Sequence, residues 1–231
     1  MAVDPDGHAY LTGQTTSSGF PTTPGAFSPI YNGGLADAFV VKVAPDASAL
    51  DYSTYLGGDQ FDDARGIAID GDGNAFVAGR TDSLNFPTTD GAYDEGYNGG
   101  RDAFVTKLTA DGDGLGYSTY VGGTAEEESG GIALGPGGLA FVTGWTISTD
   151  FPTTPDAYDP TQNGDYDAFA LALSTSGSRL RYSTFLGTPK TDYGRGIVAD
   201  GSGNAYVAGY NGSVNVNAFG LKLGLHAGNA D

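Results

Sequence analysis

The sequence predicts an all-β protein made of four repeats of about 65 residues, each supplying four short antiparallel strands. The first observation is that four strand-like segments recur in a fixed order; the best-preserved copy reads GIAID at 66–70, NAFVAG at 74–79, DAFVTKL at 102–108 and YSTYVGG at 117–123. The second is that no segment has the sustained 3.6-residue period of an amphipathic helix. We divide the single domain, 1–231, into repeats of approximately 1–65, 66–130, 131–195 and 196–231.

The first two strands of each repeat are predicted to form a tight hairpin. Their connection reads PDG at 5–7, GDG at 71–73, GPGG at 135–138 and GSG at 201–203. Glycine adopts the positive φ that such turns need, and an Asp or Ser side chain can hydrogen-bond to its own backbone. We therefore expect a hairpin at the start of every repeat.

A long connection then leads to the third strand. It contains FPTT at 20–23, 86–89 and 151–154, and an aromatic residue follows each FPTT phenylalanine after seven positions. Proline fixes its own φ, and the phenylalanine offers an apolar anchor. We expect an ordered loop in which the later aromatic residue folds back beside that anchor.

The third and fourth strands are predicted to form a second hairpin. They carry small and apolar residues on both sides of the pleat, which is typical of a strand covered on both faces. A four-stranded sheet can bury both faces by stacking against copies of itself around an axis, so the repeats favour a β-propeller. The GIAID strand would lie nearest the axis and YSTYLGG at the rim.

The motifs DGxGNAYVAG, FPTTxGAY, DAFVxKL and YSTYLGG resemble the SBBP family of bacterial and archaeal beta-propeller repeats. The resemblance covers nearly the whole chain. It implies a surface or secreted repeat protein, and the family supplies no catalytic residue set. The family name stands for seven-bladed beta-propeller, whereas four repeats are present here.

The fourth repeat is shorter than the others. It lacks the FPTT loop, and no YSTYLGG segment follows its third strand, predicted at 217–223, so the last blade would lack its outer strand. Three explanations stand: a four-bladed ring with one three-stranded blade, a part or subunit of a larger ring, or a bare edge that accepts a strand from another molecule.

Composition limits the partners. The net charge is −18, from 28 acidic and 10 basic residues, which argues against nucleic-acid binding. Cysteine is absent, which excludes disulfides and thiolate metal sites. No apolar run has the length of a membrane helix. The acidity suits a salty or calcium-containing exterior, and solubility explains it equally well.

Acidic residues recur at equivalent positions before the GIAID strand and are our candidate metal ligands: Asp62, Glu127 and Asp192, with Asp63 and Glu128 beside them. Carboxylates repeated around an axis could converge on Ca²⁺, the one cofactor we consider. The alternative is that each carboxylate caps the backbone amides of its own loop and needs no metal.

Trp145 is the candidate ligand-binding aromatic residue, because the other repeats have Gln14, Arg80 and Tyr210 at its position. With Tyr93, Tyr97 and Tyr158 of the long loops, it could stack on a sugar ring. Packing in the core or against a loop is the alternative role.

We expect a non-catalytic extracellular or cell-surface scaffold. It would bind another protein or another copy of itself, with self-assembly through the open blade edge. The alternative is a carbohydrate-binding module that uses the loop aromatic residues. The two histidines, His8 and His226, indicate no Ser-His-Asp set. A glycosidase would need two placed carboxylates that sequence does not reveal.

Overall fold

The computed structural model describes residues 1–212 and 221–224. Its strands form four consecutive antiparallel sheets, in each of which the strand order follows the chain. The first sheet contains β1 (Ala2–Val3), β2 (Ala9–Thr15), β3 (Asp37–Val43) and β4 (Leu50–Leu56); the second β5 (Asp62–Ile69), β6 (Ala75–Thr81), β7 (Asp102–Leu108) and β8 (Leu115–Val121); the third β9 (Glu127–Leu134), β10 (Ala140–Thr146), β11 (Asp167–Leu173) and β12 (Leu180–Leu186); the fourth β13 (Asp192–Ala199), β14 (Asn204–Asn211) and β15 (Leu221–Gly224).

The predicted all-β repeat architecture is therefore confirmed. The one helical element within the described ranges is a three-residue 3-10 turn, Pro136–Gly138, in the GPGG connection. Among the described residues, the fourth sheet has three strands. Its last strand was predicted at 217–223, of which 217–220 lie outside the described residues.

The first strand of each later sheet begins earlier than predicted. In the second sheet the strand starts at Asp62 rather than at Gly66, because a β-bulge between Ala64 and Gly66 lets pairing with β6 continue as far as Asp62↔Thr81. The candidate metal ligands therefore lie at strand starts and not in free loops.

The predicted hairpin turns are present, and those of the first, second and fourth sheets share one side-chain cap, which the GPGG turn of the third sheet lacks. Gly73 has φ 84°, and the Asp70 carboxylate accepts hydrogen bonds from the backbone N–H groups of Asp72 and Asn74 at 3.0 and 2.9 Å. Asp4 and Asp200 accept the equivalent bonds in the first and fourth sheets. The aspartate bonds are the local reason why these segments turn.

Each sheet has two faces. We call the face that packs on the following sheet its forward face and the face that packs on the preceding sheet its backward face. In the second sheet, Phe76 and Val105 lie on the forward face, while Val77 and Phe104 lie on the backward face. Three hydrophobic clusters fill the junctions from the first sheet to the second, the second to the third and the third to the fourth.

Adjacent sheets meet mainly through their first strands. β5 contacts β9, β9 contacts β13, and β1 touches β5, whereas β4, β8 and β12 make no comparable contact with a neighbouring sheet. The first strands thus lie together on one side of the array and the fourth strands lie apart on the other, as predicted for GIAID and YSTYLGG.

The first and fourth sheets form no comparable interface with each other among the described strands. Every residue of β10 and β11, in the third sheet, is buried, whereas β14 alternates between buried and exposed residues. Considering residues 1–212 and 221–224, the array therefore leaves two surfaces uncovered: the backward face of the first sheet and the forward face of the fourth. We call them the end faces.

Candidate functional site

The carboxylates predicted from the repeat alignment are fully buried. Asp62, Glu127 and Asp192 each occupy the first position of the first strand in their sheet. Each accepts a backbone N–H four residues upstream, from Gly58 at 2.8 Å, Gly123 at 2.8 Å and Thr188 at 2.7 Å respectively. This is the geometry of the alternative in which the carboxylate caps its own loop.

Burial raises the pKa of Asp62 to about 6, although hydrogen bonds from Thr81, Gly58 and Ser83 act in the opposite direction. Burial also raises the pKa of Glu127, against bonds from Ser148, Thr146 and Gly123. A carboxylate that has left water favours its neutral form unless donors or cations compensate for the lost hydration.

A second buried carboxylate, which sequence reasoning missed, lies near each of these three. It is the aspartate of the DAF motif at the start of the third strand: Asp37, Asp102 and Asp167. Burial is the main cause that raises the pKa of Asp102 to about 7, with the negative charge of Glu127 contributing. Burial likewise raises the pKa of Asp167 to about 6, with a contribution from Asp192. The available signal was the DAF aspartate itself, which three repeats share.

Asp63 and Glu128 form ion pairs with two arginine side chains, Arg65 and Arg80. Arg80 Nη1 lies 3.0 Å from Glu128 Oε2, and Arg65 Nε lies 2.6 Å from Asp63 Oδ2. Arg65 also reaches Glu128 at 3.3 Å, so the four side chains tie the second sheet to the third. Two nearby guanidinium groups compensate these carboxylates, which makes them poor candidates for a metal.

The structure does not bring Asp62, Glu127 and Asp192 together around one possible ion position. Within residues 1–212 and 221–224 there is no group of three or more acidic or histidine side chains placed to share a metal ion. Calcium binding stays a prediction, and any ion would have to use a smaller set of side chains.

Trp145 belongs to an aromatic cluster at the junction of the third and fourth sheets. Its ring centroid lies 5.1 Å from that of Tyr166 and 5.9 Å from that of Tyr193, both in edge-to-face geometry. Tyr193 in turn lies 6.2 Å from Tyr210. Trp145 is only 8% exposed, so it packs between two sheets rather than standing free on a loop.

The loop tyrosines do not join Trp145. Tyr93 packs against the cluster between the second and third sheets, and Tyr97 packs against the cluster between the first and second. The Tyr97 ring centroid lies 6.0 Å from that of Tyr120. Tyr158 is 71% exposed. The structure thus disperses the four predicted ligand-binding residues over four places.

The end faces carry residues whose counterparts are buried at the inner junctions. On the forward side, Tyr10, Phe76 and Phe141 are buried, while the equivalent Tyr206 is 40% exposed. On the backward side, Val77, Val142 and Val207 are buried, while the equivalent Leu11 is 37% exposed.

The forward end face contains an open depression of about 440 Å³, lined by Arg195, Gly196, Ala208, Gly209 and Tyr210. Arg195 lies over the Tyr193 ring, 4.9 Å from its centroid. Its repeat counterpart Arg65 contacts Glu128 of the following sheet. The depression is therefore the position that a following sheet occupies elsewhere in the array.

Four consecutive antiparallel sheets with equivalent faces define a repeat-built all-β protein. The family model described as SBBP, Beta-propeller repeat, matches residues 51–87 and 181–210. Both matched segments run from the outer strand of one sheet through the first two strands of the next. These two segments are similar to SBBP beta-propeller repeats. A comparison with curated proteins finds no match.

No helix in the part of the chain that the structure describes has the length and apolar character needed to cross a membrane.

Proposed function

We propose that this chain is a non-catalytic interaction scaffold and that it assembles with a second copy of itself through the two end faces. The observation that carries the proposal is the exposure, at both ends, of side chains whose counterparts are buried at the inner junctions: Leu11 on the first sheet and Tyr206 on the fourth. Val198 on the fourth sheet is 62% exposed as well, whereas its counterparts Ala68 and Ala133 are partly buried. Exposed apolar surface of this kind is typical of an interaction site.

The three inner junctions indicate what each end face accepts. At every inner junction a forward face packs on the backward face of the following sheet. The forward face of the fourth sheet should therefore bind a backward face. In a second copy, the backward face that is available is that of the first sheet. The contact between copies would continue an interface that the chain already forms three times.

A head-to-tail contact between unlike faces either closes into a ring or grows into a filament. Two copies have two such contacts, and satisfying both gives a closed β-propeller of eight sheets. We propose this ring rather than a four-bladed one, because the described strands of the first and fourth sheets of one chain form no interface comparable to the inner junctions. The charge of −18 on each copy opposes association, so assembly should strengthen with salt.

Light scattering on the full chain at ~1 M NaCl tests the proposal, because the Debye length there is only about 3 Å. We expect a particle of twice the 23.5 kDa chain mass, with its population rising with protein concentration. Val198→Asp puts a charge on the forward end face and should leave a monomer. Leu84→Asp, at a loop position that is 75% exposed, is the matched control and should assemble normally. A monomer at every concentration in the unmodified chain would refute self-assembly.

The same experiment separates face contact from edge pairing. Pairing through the open edge of the last strand, which the sequence predicts, stays a prediction, since residues 217–220 lie outside the described part. Lys222→Pro, in β15, removes a backbone donor from that strand. If Lys222→Pro abolishes assembly while Val198→Asp leaves it intact, the edge and not the face joins the copies.

We also propose an extracellular or cell-surface location. The support is the acidic, cysteine-free composition together with the resemblance to surface repeat proteins. Protease treatment of intact cells that make the native protein, followed by detection with an antibody, tests this. Complete protection of the protein while the cells remain whole would contradict it.

Carbohydrate binding is the alternative, and the open depression beside Tyr210 and Arg195 is the observation that favours it. An exposed aromatic ring next to a guanidinium is suited to stacking on an acidic sugar. Tyr210→Ala should then abolish a glycan-array signal that Tyr158→Ala leaves unchanged. A signal unaffected by Tyr210→Ala would remove this site as the sugar-binding site.

A further inference from the structure

We propose that each of the three buried carboxylate pairs, Asp37 with Asp62, Asp102 with Glu127, and Asp167 with Asp192, binds one Ca²⁺ ion. The ion would not lie on the axis between sheets, where the repeat alignment alone would put it. It would lie inside each repeat, at the point where the third strand and the next first strand begin.

All six carboxylates are fully buried, and no ion pair within the described ranges includes any of them. Removing two like charges from water without a cation is costly, so a buried pair must gain a proton or a counterion. A divalent ion compensates both charges at once.

Unpaired oxygen atoms provide the second observation. Asp102 accepts the Asn98 N–H at 2.8 Å through Oδ2, while its buried Oδ1 has no hydrogen-bond partner. Asp37 repeats this pattern: Oδ2 accepts the Asn32 N–H at 2.6 Å, and the buried Oδ1 has no partner. Asp192 Oδ1 is unpaired as well. Buried oxygen atoms without donors are the atoms that a cation would satisfy.

The spacing of the second pair is compatible with a shared Ca²⁺ ion. A Cβ placed on Gly122 would lie 2.5 Å from Asp102 Oδ1 and 2.6 Å from Glu127 Oε2. Those two oxygen atoms are therefore at most about 5 Å apart, and one ion at the usual Ca–O distance of about 2.3–2.6 Å can reach both. The donors are hard oxygen atoms, which favours Ca²⁺ over softer metals. Two carboxylates per ion predict weak binding, with Kd of about 10⁻⁴ to 10⁻³ M.

Calorimetric titration of the full chain with CaCl₂ at neutral pH and constant ionic strength tests the proposal. We expect three ions per chain, and two in Asp102→Asn. Asp111→Asn makes the same charge change at an exposed residue and should keep three. If Asp102→Asn does not fold, as judged by circular dichroism, Asp167→Asn should likewise bind two.

Absence of saturable Ca²⁺ binding in the unmodified chain would overturn the proposal, and the pairs would then hold a shared proton. An unchanged stoichiometry of three in a folded Asp102→Asn variant would also overturn it, because the ions would then belong to other acidic residues.

Discussion

Replacing Phe104 by alanine should reveal which faces of the array are covered. The Phe104 ring is fully buried in the junction between the first and second sheets, with the Phe86 centroid 4.4 Å away. Removing a fully buried phenylalanine costs about 3–5 kcal/mol, from the lost transfer free energy and the cavity left behind. We expect Phe104→Ala to lower the free energy of unfolding by an amount in that range.

The equivalent residue of the first sheet, Phe39, is the internal comparison. It stacks on Phe20 at 4.6 Å, but both rings are partly exposed because no sheet covers the backward end face. Phe39→Ala should therefore lower the free energy of unfolding by only about 1–2 kcal/mol, less than half the loss expected for Phe104→Ala. Phe169→Ala, in the fully covered third sheet, should match Phe104→Ala.

Urea unfolding should be measured in the Val198→Asp background, so that assembly cannot cover the end faces. Circular dichroism reports the strands, and the fluorescence of Trp145, the single tryptophan, reports the junction of the third and fourth sheets. Repeat proteins can unfold in parts, so both signals are needed. Equal losses for Phe39→Ala and Phe104→Ala in the monomer would refute our account, because the first sheet would then be covered on both faces.

Three further outcomes are expected. Gly79→Ala should destabilise the protein severely, since the new Cβ would lie 2.1 Å from the Asp63 carbonyl oxygen. Gly71→Ala is the control, because its Cβ would meet nothing within 4 Å. Nearly equal thermal midpoints for the two variants would contradict this prediction. Arg80→Met should lower the free energy of unfolding by about 1–3 kcal/mol, because the mostly buried carboxylates of Asp63 and Glu128 lose a guanidinium partner. The unfolding free energy should be measured as a function of salt concentration, and no loss at low salt would contradict the prediction. Hydrogen bonds from the side-chain amide and the backbone N–H of Asn204 lower the pKa of Asp200 to about 2. The turn is therefore stabilised above pH 3.8 and loses that stabilisation as the pH falls through about 2. NMR titration should show a higher pKa of Asp200 in Asn204→Leu, and an unchanged pKa would contradict this account.

Local patterns predicted the repeat and much of its register. The DAFVTKL segment forms a strand with the predicted bounds, Asp102–Leu108, because its ends are marked by a change of composition. The start of β5 was wrong by four residues, because a bulge continues the pairing across Gly66 and no local signal separates that from a loop.

The candidate site was predicted less well. Aligning the repeats makes Asp62 and Glu127 equivalent, but equivalent residues of successive repeats lie one sheet apart. Glu127 instead lies close to Asp102, 25 residues upstream, and that proximity depends on how the intervening hairpin closes. Trp145 was noted for breaking the repeat, yet its contacts with Tyr166 and Tyr193 depend on tertiary packing.

The side chains near the first strands differ from one junction to the next, although the rest of each repeat is similar. Arginine and carboxylate meet between the second and third sheets, whereas aromatic rings meet between the third and fourth. If the third sheet docked on the first by mistake, Glu128 would face Gln14 and lose the guanidinium of Arg80. A chain of near-identical units risks such exchanges while it folds. Because the contacts differ from junction to junction, they favour the correct order of neighbouring sheets during folding.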